Sequence, residues 1–294
     1  MKKAFPERTK GSLAEGQTLD IWHNWTKFYK VQLCAILLIA AAVGITSCKK
    51  DHDHPQAKIF KGAVSKFQHG SAWTWYEVDG KNKPLRLGAS IDAAAMNSLD
   101  TSHPGDGGHH HENMLSLLFP SQAKDTVPFI HFGLDWNPHG HEPAGIYDLP
   151  HFDFHFYMIS EAERNAIPLY EDAQAKFDNY PDIAYLPENY FPSPGGVPQM
   201  GAHWVDVTSP EFNGQGFSQT FLMGSFDGQV IFYEPMITQE FIRTHPSFTR
   251  PVPRPAKVQK DGYYPTKVRL ETAPDGSVNI ILEEFEYRWH SNPV

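Results

Sequence analysis

HFGLDWNPHGHEPAGIYDLPHFDFH, residues 131–155, is the stretch that decides the fold. Its last residues alternate strictly: His151, Asp153 and His155 share one parity, and Phe152, Phe154 and Phe156 share the other. Successive side chains of a strand point to opposite faces, so His151–Met158 reads as a strand with an aromatic core face. Its opposite face either meets water or lines a polar cavity. Val127–Trp136 reads as a second buried strand, and the Pro/Gly-rich residues between the two read as a turn.

Outward from this pair, the punctuation is that of hairpins. Phe60–Val78 turns at Gln68-His69-Gly70, and Asp79-Gly80-Lys81-Asn82 leads into a returning strand at Leu85–Leu87. Asp227-Gly228 joins Phe217–Ser225 to Gln229–Tyr233, and Pro274-Asp275-Gly276 joins Lys267–Glu271 to Ser277–Tyr287. Asp-Gly between apolar runs is a strong hairpin signal. Ala89–Leu99 has helical spacing with Ser90 as cap, Met236–Arg243 reads as a second helix, and Ser160 with Glu163 forms a capping-box pattern ahead of a third. Residues 181–200 read as a Pro/Gly-rich loop, 101–113 as a Gly/His loop and 245–257 as a Pro-rich linker. No internal repeat is apparent. The expected fold is α+β: a strand-rich single domain of hairpins, a few short helices and long Pro/Gly loops.

The polar face carries candidate chemistry. Imidazole nitrogens and carboxylate oxygens are the ligands that Zn²⁺, Cu²⁺, Fe²⁺ and Ni²⁺ prefer. His139 and His141 form an H-x-H pair whose rings share one side if the chain is locally extended. With His151 and His155 they can converge on one ion, and Asp153 can orient a ligand from behind. His203, in Met200-Gly201-Ala202-His203-Trp204, and Glu234, before Pro235 at the end of an apolar strand, can complete the site. Glu142 and Glu234 are the candidate bases, should the site be catalytic. Zinc and copper lead as metals, with Met200, Met223 and Met236 as the argument for copper. His131 reads as a satisfied core histidine. His103, Asp106 and His109-His110-His111 make a His-rich tract of weak metal affinity.

Other functions are excluded by composition and missing motifs. Net charge −9 leaves no basic face for nucleic acid. Two cysteines allow no disulfide framework. There is no G-x-S-x-G elbow, no H-E-x-x-H, no P-loop, no dinucleotide fingerprint and no C-x-x-C-H, so no nucleotide, flavin or haem is expected.

Val31–Ser47 is an uncharged run of 17 residues preceded by Lys27 and Lys30. It is short for a spanning helix and fits a signal peptide with Met1–Tyr29 as an extended leading region. It ends in the lipobox-like Ile45-Thr46-Ser47-Cys48. Cleavage there removes residues 1–47, with their six Lys/Arg and three Asp/Glu, and leaves net charge −12 with Cys48 lipidated. The alternative is a retained anchor helix. The expected organisation is a signal peptide over 1–47, a tether over 48–57, a domain over 58–245, and a Pro-rich linker with a final hairpin over 246–294. The expected location is the cell envelope, on a lipid anchor at the outer membrane, facing the periplasm or the surface.

The strings Trp136-Asn137-Pro138-His139-Gly140-His141-Glu142-Pro143 and Pro150-His151-Phe152-Asp153-Phe154-His155-Phe156-Tyr157 resemble the signature of an uncharacterised bacterial family. Its name-giving member is a Thermus protein under sigma-E/anti-sigma-E control. Further resemblance lies in Gly70–Leu87, Met200–Asp206, Gly224–Gly228 and Glu234–Thr238, so it spans roughly residues 60–245. It implies an α+β domain, a homo-oligomer and an envelope or stress context, and it carries no activity. Two functions stay open: a metal-binding envelope protein, hydrolytic or oxidative if an enzyme, and a non-catalytic oligomeric binding or assembly module with structural histidines. For the second, Trp73, Trp75, Tyr185 and Tyr190 are candidate contact aromatics, or else core. A third possibility, pH sensing, follows only from the imidazole pKa.

Overall fold

A computed structural model describes residues 56–100 and 114–290. The signal, lipobox and most of the tether expected before residue 56 lie outside the described residues, as does the His-rich tract at 101–113. Among the described residues no helix is long and apolar enough to cross a membrane.

The strands are β1 (Lys58–Phe67), β2 (Gly70–Val78), β3 (Pro84–Ile91), β4 (Leu115–Leu118), β5 (His131–Asn137), β6 (His151–Tyr157) and β7 (Tyr190–Pro192). They continue as β8 (Ala202–Asp206), β9 (Gln219–Phe226), β10 (Gln229–Thr238), β11 (Ser247–Pro251), β12 (Gly262–Thr272) and β13 (Val278–Arg288). The helices are short: α1 (Ala93–Met96), α2 (Glu161–Asn165), α3 (Tyr170–Phe177) and α4 (Gln239–Thr244). This is a mostly β fold, and the α+β expectation is corrected accordingly.

All strand pairs are antiparallel, in a six-stranded sheet of order β1-β2-β3-β13-β12-β11 and a seven-stranded sheet of order β4-β5-β6-β10-β9-β8-β7. They share one apolar core, in which Tyr76, Leu87, Ile280 and Leu282 of the first sheet meet Phe132, Phe152, Phe154, Phe156, Phe221 and Tyr233 of the second. The expected aromatic face of β6 is thus core. The final hairpin is internal to its sheet, because β13 pairs with β3, and the segment read as a Pro-rich linker supplies the edge strand β11.

Two expected helices fall partly in strands. Residues Leu87–Ile91 are buried and continue β3, and Asp92, not Ser90, caps the four-residue α1. Met236–Thr238 likewise continue β10, and Thr238 caps α4. A strand covered on both faces has no polar alternation, so its apolar run mimics a helix. The capping box of α2 is present: the Ser160 side chain accepts from the Glu163 N–H, and the Ser160 N–H donates to the Glu163 carboxylate at 2.7 Å.

Phe154 is fully buried at the centre of the shared core. Phe154→Ala should lower unfolding free energy by about 3–5 kcal/mol, against about 1 kcal/mol for loss of the cap in Ser160→Ala. Urea denaturation of the two variants checks the ranking.

Candidate metal centre

The second face of the seven-stranded sheet is also buried. It is covered by connections between the strands, whose apolar side chains join those of the sheet face in two small clusters. One holds Tyr157, Ile167, Phe177, Val197, Met200 and Phe232, and the other Tyr147, Phe217, Leu222 and Met236. Of the two outcomes expected for the His/Asp/His face, the structure has the cavity. His151, Asp153 and His155 are almost wholly withdrawn from solvent.

Register brings distant residues together. β10 pairs with β6 through Tyr233–Phe156 and Met236–Asp153, which puts Glu234 level with His155. On the other side of β10, β9 pairs with β8 through Gly224 and His203. Gly224 leaves the sheet face open there: a Cβ would lie 2.0 Å from the Phe232 ring. That ring packs against both His155 and His203, at centroid distances of 4.9 and 5.4 Å.

Six ligand-type side chains gather in two groups of three, each of two histidines and one carboxylate. In the first, Asp153 Oδ2 lies 3.3 Å from His141 Nε2 and Asp153 Oδ1 lies 3.1 Å from His151 Nε2. In the second, Glu234 Oε1 lies 3.3 Å from His155 Nε2 and Glu234 Oε2 lies 3.7 Å from His203 Nε2. Within each group the ligand atoms lie within 4.8 Å of one another. The groups could therefore each hold a metal ion. Where convergence of these histidines on one point was expected, the structure divides them between two groups.

The tautomers are legible in the first group. His151 Nδ1 lies 2.6 Å from the Leu149 carbonyl and His141 Nδ1 2.6 Å from the Glu142 carbonyl. A carbonyl only accepts, so each Nδ1 carries a proton and donates. The Nε2 atoms aimed at Asp153 then hold either a lone pair or a second proton. His151 Nε2 and Asp153 Oδ1 make no well-aligned hydrogen bond. Lone pairs facing a carboxylate repel it; a cation between them reverses the sign. The same carbonyl contact fixes the tautomer of metal-bound histidines.

Burial works to raise the Asp153 pKa, but His151 and His141 outweigh it and hold that carboxyl well below its usual range. Asn137 Nδ2 donates to Asp153 Oδ2 at 2.7 Å. For His141 burial works downward, and Asp153 outweighs it to raise the pKa. Burial pushes Glu234 well above the carboxylate range, and Asp153 and Asp135 add to the push. Asp153 thus keeps its charge against two histidines, whereas uncompensated burial favours the protonated, neutral Glu234.

The expected residues divide as follows. Asp153 stands among the candidate ligands rather than behind them, and Glu234 joins His155 and His203. His139 is exposed and belongs to neither group. The reason is Gly140, whose φ of +71° bends the H-x-H pair out of the extended form that would align both rings. Glu142 is exposed at the cavity mouth. Of the methionines offered for copper, Met200 lines the cavity, whereas Met223 packs in the main core and Met236 in the smaller cluster. Tyr185 and Tyr190 are core rather than contact aromatics, while Trp73 and Trp75 are half-buried. Sequence reasoning missed Asp135 and Asn137, which sit opposite Asp153 and His151 on β5. Their signal was there, in phase with His131 along the same strand.

Comparison of the chain with protein-family models, with curated proteins and with solved structures gives no match.

His131 is a buried core histidine, as expected, but only half satisfied: its Nε2 has no hydrogen-bond partner. Its Nδ1 lies 3.0 Å from the Ile159 carbonyl and its ring stacks on Tyr157 at 4.6 Å. Burial, helped by Arg164, lowers its pKa to about 4. The unfolded chain therefore binds the extra proton between pH 6.5 and 4, and stability falls as pH falls through that window. His131→Gln, which keeps a donor for Ile159, should remove about 2 kcal/mol of the stability loss between pH 7 and pH 4.5. Urea denaturation of both proteins at the two pH values measures it.

Proposed function

We propose that the protein binds two transition-metal ions, one at His141/His151/Asp153 and one at His155/His203/Glu234. One observation carries this reading: four imidazole Nε2 atoms stand around two buried carboxylates at 3.1–3.7 Å. Two ligand atoms, each about 2.1 Å from one ion and about 90–109° apart, lie about 3.0–3.4 Å from each other. Three of the four contacts fall in that range, and the fourth, His203 to Glu234, is longer at 3.7 Å. Two histidines and one carboxylate is a set used by catalytic zinc and, as a facial triad, by non-haem iron(II). Neither group of ligands contains sulfur, which removes the argument for copper(I).

We further propose that the protein acts at the cell envelope as a lipid-anchored member of the family whose signature it resembles. Support for the anchor is the apolar run ending in Ile45-Thr46-Ser47-Cys48, and support for the family is the H-G-H and P-H-F-D-F-H-F-Y strings. A second reading, an oligomeric assembly module with structural histidines, draws on the Nδ1 contacts of His141 and His151, which tie down the loop between β5 and β6.

The two readings separate on metal content. Full-length protein, purified without a polyhistidine tag and with His109, His110 and His111 replaced by Ser, should hold two equivalents of metal after dialysis against Zn²⁺, measured by plasma mass spectrometry. His151→Ala and Glu234→Gln should each lower that to one. At a hundredfold excess of zinc over Kd, each site should add about 2.7 kcal/mol of stability. A protein that takes up no metal, and melts at the same temperature with and without chelator, has structural histidines.

A further inference from the structure

The two groups open onto one space. His141 and Asp153 of the first and His203 and Glu234 of the second line the same cavity of about 540 Å³, a size typical of small-molecule sites. His151 and His155 do not line it and are fully buried behind the cavity floor. The four lining residues differ in access: the side chains of His141 and His203 are 12% and 16% exposed, those of Asp153 and Glu234 only 1% and 2%. Three protein ligands leave a metal with at least one open position, and here the space on the solvent side of both centres is the cavity.

The walls define the rest of the ligand. Tyr147, Val197, Met200, Val205, Phe212 and Leu222 make them apolar. Among the described residues no Lys or Arg lines the cavity, and the exposed carboxylates Glu142 and Glu171 belong to its lining. A polyanion such as a nucleotide or polyphosphate finds no countercharge there beyond the ions, and two acids oppose it. A single anionic oxygen-donor head is matched by the metal, and an apolar body is matched by the walls.

We infer that the cavity binds a compact small molecule with one anionic oxygen-donor head, of the carboxylate or hydroxamate kind, set on the metal centres, and an apolar or aromatic body against Val205, Phe212 and Leu222. This rests on the two-metal reading above. It names a ligand class for that site, where the metal reading alone is equally compatible with storage or a structural ion.

The test uses the full-length protein loaded with Co²⁺, whose visible absorption reports its coordination. Acetohydroxamate and benzohydroxamate carry the same head and differ in the body. Both should change the cobalt spectrum, with benzohydroxamate binding at least about tenfold tighter, as burial of a ring against apolar walls requires. Val205→Trp, which fills the cavity from a half-buried position, should abolish that preference while cobalt stoichiometry stays at two. Phe212→Ala removes a wall instead; it should weaken benzohydroxamate severalfold and leave acetohydroxamate unchanged, and it serves if Val205→Trp does not fold. Two bound cobalt ions with no spectral response, or with equal affinity for the two hydroxamates, would overturn the inference and leave the metal reading intact. No cobalt uptake would overturn both.

Discussion

Two carboxylates withdrawn from water on one face of one sheet are the constraint on which this structure turns. Asp153 and Glu234 lie on neighbouring strands, each nearly inaccessible to solvent. Burying an ionised carboxylate is costly unless charge and hydrogen bonds compensate it. Around these two the compensation is four histidines and Asn137, and for Glu234, facing His155 and His203, burial outweighs it and pushes that carboxyl upward. An apolar pair at these positions would be less costly for stability alone. The arrangement is one that could hold a cation beside each carboxylate.

The fold supplies what such a site needs. Strand β6 has two buried faces with different tasks: Phe152, Phe154 and Phe156 fill the core between the sheets, and His151, Asp153 and His155 face the cavity. Rigid pairing to β5 and β10 fixes their spacing. Loops alone could not, because ordering a flexible segment at the moment of binding costs free energy. The one loop residue among the candidate ligands, His141, is held by its own contacts: its Nδ1 on the Glu142 carbonyl and a backbone bridge to Tyr147. The two apolar clusters flanking the site keep bulk water from its sides and so strengthen the electrostatics between.

Much of this was legible in the residues. The period-two alternation of β6 identifies both of its faces, and the Asp-Gly pairs locate the turns of hairpins that are present. The Ser160 cap is local chemistry and reads directly. What the sequence could not yield depends on contacts between distant residues. That Glu234 stands beside His155 is a matter of strand register, invisible along the chain. The division into two groups follows from it, because His203 joins Glu234 across β9 rather than joining His141. The errors have physical causes as well. Ala89–Ile91 and Met236–Thr238 look helical because both faces of their strands are covered. His139 looked paired with His141 because the backbone angle at Gly140 cannot be read from H-G-H.

The central claim is that each carboxylate, with its two histidines, holds one ion. X-ray diffraction from zinc-soaked crystals at the zinc absorption edge tests it most directly. Two anomalous peaks are predicted, each about 2 Å from two Nε2 atoms and one carboxylate oxygen, one at His141, His151 and Asp153 and the other at His155, His203 and Glu234. A sheet face without anomalous density in zinc-soaked crystals, or a single peak elsewhere on the protein, would contradict it.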